Sequence, residues 1–161
     1  MFYYLFSAPA ALVLGGTTQS TSHLLVDLGR TGSDLCGESV PDLSSTYTYQ
    51  SAGTVTKEGT IVTCGSAKSA NSVKCWYLGR GAGHTWSQGP SLPSKRYQGQ
   101  LESIGNYIYF FGGYYGSAYY KDIYELNDDL KGSWSHVDNM KDKRAWFCSV
   151  TTKDSIIMIG L

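Results

Sequence analysis

Short apolar runs, each closed by glycine or a small residue, recur along an otherwise polar chain. They read ALVLGG (Ala11 to Gly16), IVTCGS (Ile61 to Ser66), IYFFGG (Ile108 to Gly113) and IIMIGL (Ile156 to Leu161). Runs this short, rich in branched and aromatic side chains and bounded by glycine, predict strands, and no long 3.6-residue apolar period competes with them. In the third copy the same patterning predicts four strands, over Tyr97 to Ser103, Tyr107 to Phe111, Tyr120 to Leu126 and Ser133 to Val137. The first glycine of each run is Gly15, Gly65, Gly112 and Gly160, so the steps are 50, 47 and 48 residues.

Other residues keep this beat. Trp86 and Trp134 are 48 apart, as are Arg96 and Arg144, and Cys75 to Leu78 falls on Ile123 to Leu126 at that offset. A strand-rich period of this length points to the blade of a β-propeller rather than to a helical pair. The first copy departs from the pattern, with Cys36 at the tryptophan position and Thr46 at the arginine. The predicted blades are 1–45, 46–94, 95–142 and an incomplete 143–161. Each glycine pair would let a strand end sharply with close backbone approach beside it, and each tryptophan would cover the apolar face of a neighbouring blade.

Composition supports the reading. The chain holds 19 Gly, 13 Tyr and 4 Trp with only 16% charged residues, the balance of an all-β protein with many turns. Lys and Arg equal Asp and Glu at 13 each and form no basic stripe, which argues against nucleic acid as a partner. The apolar start, Met1 to Leu14, is too short for a bilayer span and lacks a basic n-region. Phe2 to Phe6 therefore reads as a first strand in preference to a signal peptide ending near Ala8 or Ala10.

These residues resemble the kelch-repeat family, whose blades carry a glycine pair after the second strand, an aromatic on the third, a tryptophan on the fourth and an arginine near the start of the next. The matching positions are Gly112, Gly113, Tyr124, Trp134 and Arg144 in the best copy, and Gly65, Tyr77, Trp86 and Arg96 before it, where Ser66 replaces the second glycine. Gly15 and Gly16 mark the first copy. The resemblance covers nearly the whole chain and implies an all-β partial kelch-type propeller: about three four-stranded antiparallel blades and the start of a fourth. Closed propellers use four to eight blades, so it also implies missing blades or other chains that close the ring, a fragment being the favoured reading.

Four cysteines admit three pairings. Cys64 would end a second strand and Cys75 lie on the third of the same blade, a hairpin relation that can bring them to bridging distance; buried free thiols are the other reading. Cys36 and Cys148 are left over. The surroundings of the cysteines, including VPDLSS and KCWYL, resemble secreted kelch-like proteins of invertebrates, which favours an extracellular location, with the cytoplasm as the alternative.

Catalytic signals are sparse. There is no Cys-x-x-Cys, and His23, His84 and His136 are widely separated, so no metal or other cofactor is expected. Gly79 to Gly83 lacks the ending of a phosphate loop and reads as a turn, as does Asn127-Asp128-Asp129. The best binding candidates are Tyr114 and Tyr115, on the connection between second and third strands, with Arg96 and Arg144 either presenting charge to a ligand or stacking between blades. The expectation is a non-catalytic protein-binding module using loops on one propeller face, its protein partner undefined. The alternatives are a galactose-oxidase-like secreted copper oxidase and an adaptor for ubiquitin ligases without a BTB segment.

Overall fold

The computed structural model describes residues 10–14, 23–27, 41, 43, 50–68, 70, 72–79 and 85–160, the first two stretches as backbone. Gly15, Gly16, Cys36, His84, most of the Gly79 to Gly83 turn and the strand expected over Phe2 to Phe6 lie outside the described residues. Within them there is no helix, and every strand pairing is antiparallel.

β1 (Ala10–Leu14) and β2 (His23–Asp27) form a two-stranded sheet. β3 (Ala52–Val55), β4 (Ile61–Cys64), β5 (Cys75–Leu78) and β6 (Ser87–Gln88) form a four-stranded meander in chain order. The next module repeats it with β7 (Gln100–Ile104) and β8 (Tyr107–Phe111), a small hairpin of β9 (Tyr114–Tyr115) and β10 (Ala118–Tyr119), then β11 (Asp122–Asn127) and β12 (Ser135–Asn139). β13 (Cys148–Thr151) and β14 (Ile156–Ile159) form a last pair.

Of the four strands predicted in the third copy, Tyr107–Phe111 is found as expected, while the others are shifted. β7 begins only at Gln100 because Gln98 turns the chain with φ 58°, and Tyr97 bridges instead to Tyr114. The same left-handed turn occurs at Gln50 (φ 58°) and Trp146 (φ 56°), 48 residues to either side. These three turns are linked in series: Gln98 N donates to Gln50 O at 3.0 Å, and Trp146 N to Gln98 O at 3.1 Å. The Asn127 turn is also present, closed by Leu130 N donating to Asn127 O at 3.0 Å.

Packing follows the repeat. The first strands β3, β7 and β13 lie side by side. Gln100 and Glu102 on β7 meet Ser149 and Thr151 on β13, Thr151 Oγ1 donating to Glu102 Oε2 at 2.6 Å. One core joins the two four-stranded sheets, with Ala52, Val62, Cys64 and Cys75 from one and Leu101, Ile108, Phe110, Leu126 and Trp134 from the other. Each sheet thus hides an apolar face against its neighbour, at about 1.5–3 kcal/mol for each large side chain removed from water. Trp86 Nε1 donates to Pro41 O at 2.7 Å and Trp134 Nε1 to Pro90 O at 3.0 Å, so each indole also clasps the module before it.

The glycine after each second strand has a specific steric cause. Gly65 (φ 76°) and Gly112 (φ 56°) sit in the left-handed region, and a Cβ at either would stand 2.6 Å from a carbonyl, that of Arg96 or Arg144 respectively. Ser66 stands in place of Gly113 without penalty: Gly113 has φ 99°, whereas Ser66 is not among the positive-φ residues, and its hydroxyl accepts from Lys68 N at 3.2 Å. Cys64 and Cys75 are directly opposed on β4 and β5 and form a disulfide with Cα atoms 4.1 Å apart. Cys148 is free and exposed.

Candidate functional site

In an antiparallel meander the start of the first strand, the end of the second and the start of the third share one end of the sheet. The β8–β11 connection and the segments leading into β7 and β13 therefore converge. Tyr97 and Tyr114 fasten the first two, each donating its amide to the other's carbonyl at 3.0 and 2.8 Å. Gly116, with φ 67°, turns the β9–β10 hairpin, as the primed two-residue turns require.

This convergence gathers aromatic rings into one surface patch. Tyr97 meets Tyr114 edge-on at 5.5 Å and Tyr115 at 6.3 Å between centroids. Tyr114 in turn contacts Tyr119 at 4.9 Å and Trp146 at 5.5 Å, and Tyr119 lies 5.9 Å from Trp146. Lys95 Nζ stands 5.6 Å above the Tyr115 ring. Trp146 is 60% exposed and Tyr119 44%, while Tyr114 and Tyr115 are half-buried. Such rings carry large contact area with few rotatable bonds, so ordering them on contact loses little entropy.

Of the four residues expected to contact a partner, Tyr114 and Tyr115 lie in this patch, and the arginines are placed otherwise. Arg96 is 1% exposed, stacks on Tyr120 at 4.3 Å and Tyr124 at 4.9 Å, pairs with Asp122 at 3.4 Å and donates to Gly112 O at 3.2 Å. Its guanidinium is thus turned inward, away from any ligand at the surface. Arg144, half-buried, repeats the contact one module later by donating to Gly160 O at 3.1 Å. Each arginine braces the glycine carbonyl that follows the second strand of its own module.

Sequence reasoning missed Trp146, Tyr119, Tyr97 and Lys95. Trp146 carried a signal: it falls 48 residues after Gln98, so a large aromatic stands where the preceding copy has a glutamine. Tyr119 directly precedes the strand expected over Tyr120 to Leu126, and β10 exposes it. Among the described residues no three His, Cys, Asp or Glu side chains converge in a way that would hold a metal ion. No helix there is long and apolar enough to cross a membrane.

No family model and no curated protein matches the chain. Among solved structures it is similar to YjhT, with a TM-score of 0.60 at 15% identity over 68% of this chain and 33% of that one. The chain thus spans about a third of that structure's length. At this identity the likeness concerns the fold alone.

Proposed function

We propose that the chain is part of a kelch-type β-propeller that acts as a non-catalytic protein-binding module. Three observations support the propeller: first strands packed side by side, inter-module links recurring at the repeat length, and a likeness to a longer solved structure. On this reading the blades are 1–45, 46–94 and 95–142, with the start of a fourth over 143–161. The Cys64–Cys75 disulfide favours an oxidising, extracellular setting.

The binding role rests on one observation, the exposed aromatic patch held on connections between rigid strands. Large exposed rings at the surface are costly to leave in water and are the residues that dominate protein interfaces. Display is the mechanism: the sheets fix the backbone and the connections supply the contacts. The test is a chemical-crosslinking capture on the full chain, repeated with Trp146→Ala and Tyr119→Ala together. A purified partner that binds the parent chain and loses binding to the variant supports the reading, whereas partners bound equally by both would refute it.

A further inference from the structure

The charges of this chain balance overall but not end to end. The end carrying the aromatic patch holds Lys95, Lys121, Lys141 and Lys143, all exposed. Of the carboxylates there, Asp122 is tied to the buried Arg96, and Asp138 and Asp142 stand exposed beside the four lysines. At the opposite end the turns carry both signs together, Lys57 with Glu58, Lys131 with Asp129 and Lys153 with Asp154. Among the described residues, lysines thus outnumber exposed carboxylates at the aromatic end, whereas the opposite turns carry both signs together.

We infer that the aromatic end docks an extended acidic peptide segment of a protein partner, in which apolar and acidic side chains alternate. This rests on the binding role proposed above and adds the chemistry of what binds. Successive ring contacts run Tyr115 to Tyr97 at 6.3 Å, Tyr97 to Tyr114 at 5.5 Å and Tyr114 to Trp146 at 5.5 Å. In an extended strand, same-side side chains repeat every ~6.4–6.8 Å, close to that spacing, and the intervening side chains point to the other side. Apolar residues of such a segment would seat on successive rings while its carboxylates reach lysines at that end. Attraction between opposite charges then steers the encounter and sets its salt dependence, and the rings supply most of the affinity.

Nucleic acid would also meet rings and lysines, but the observations favour carboxylates. Phosphate recognition favours the planar fork of arginine, and the two arginines among the described residues are engaged internally, Arg96 in the core and Arg144 on Gly160. Lysine ammoniums act as point charges that single carboxylates satisfy.

The experiment is selection from a random-peptide display library on the immobilised full chain, with recovered peptides resynthesised and titrated against three proteins: the parent, Trp146→Ala, and a variant with Lys95, Lys121 and Lys143 each changed to Gln. Thermal midpoints of the variants are measured first; all three lysines and Trp146 are exposed, so the midpoints should match the parent's. Recovered peptides should be enriched in Asp and Glu over the unselected library. Trp146→Ala should weaken them about 30-fold, the scale of an interface hot spot. The lysine variant should weaken them about tenfold and flatten their salt dependence. Peptides that depend on Trp146 but show no acidic enrichment would overturn this inference and leave the binding role standing. Absence of any Trp146-dependent peptide would overturn both. Tighter, Trp146-dependent binding of a single-stranded oligothymidylate than of any peptide would assign the surface to nucleic acid and overturn the inference.

Discussion

Replacing Gly112 by alanine isolates the close approach on which the module junction depends. The backbone there has φ 56°, which costs an L-residue about 1–2 kcal/mol. The new methyl would also meet Arg144 O at 2.6 Å, Met140 Cε at 2.7 Å and Tyr120 O at 3.2 Å. The methionine can swing aside, but the carbonyl of Arg144 is held, accepting from Gly113 N at 2.8 Å while its own amide donates to Tyr120 O at 3.0 Å. Opening 2.6 Å to an ordinary 3.4 Å needs a shift of about 0.8 Å, with overpacking of about 1–3 kcal/mol and loss of a hydrogen bond of about 1 kcal/mol. The stiffer unfolded chain returns about 0.4–1 kcal/mol. The net expectation is a loss of about 2–5.5 kcal/mol. Gly116→Ala is the control, because Gly116 has φ 67° with nothing near its missing Cβ, leaving only the backbone effect. Urea unfolding followed by tryptophan fluorescence reads both as midpoint shifts at constant slope. Gly65→Ala should match Gly112→Ala, since its Cβ would lie the same 2.6 Å from Arg96 O. If Gly112→Ala costs no more than Gly116→Ala, the junction is not close and the steric argument fails.

Trp134→Phe should cost about 1–3 kcal/mol by stranding the Pro90 carbonyl, and Trp134→Ala about 3–5 kcal/mol because a cavity is added; a Trp134→Phe chain as stable as the parent in urea unfolding would deny the hydrogen bond a role. Reduction of Cys64–Cys75, which are 11 residues apart, should lower stability by about 3 kcal/mol, and mass analysis of the alkylated, unreduced chain should find both thiols protected while Cys148 is labelled. The Tyr109 hydroxyl is pushed up from 10.0 to about 12, first by burial, then by its hydrogen bond to Glu125 and the charge there, with a smaller effect of Tyr107. Because the folded-state pKa is raised, its contribution to stability is complete below pH 10 and is lost as pH rises toward 12. Phenolate absorbance should show a tyrosine that titrates late in the parent and earlier, though still above the ordinary value, in Glu125→Gln. A late tyrosine that does not move would exclude Glu125 as a cause.

The strand content and the repeat length were legible in the chain because they rest on local chemistry. Branched and aromatic runs ending in glycine form strands wherever they fall, and Gly65 and Gly112 mark a backbone shape that no distant contact is needed to recognise. The Cys64–Cys75 pairing was legible for the same reason, since a hairpin fixes the register of nearby residues. Other features needed the third dimension. Arg96 reads in sequence as a charge near a loop; only the convergence of Tyr120, Tyr124, Asp122 and the Gly112 carbonyl around it turns it into a buried brace. Trp146 reads as one aromatic in an apolar stretch, and its exposure follows from a left-handed turn tied to the preceding module. The excess of lysines at the aromatic end likewise appears only when segments far apart in sequence meet at one end of the sheets. Periodicity along a chain reports which residues repeat, whereas which face of a sheet they occupy, and what stands opposite, depends on contacts between modules that no local window contains.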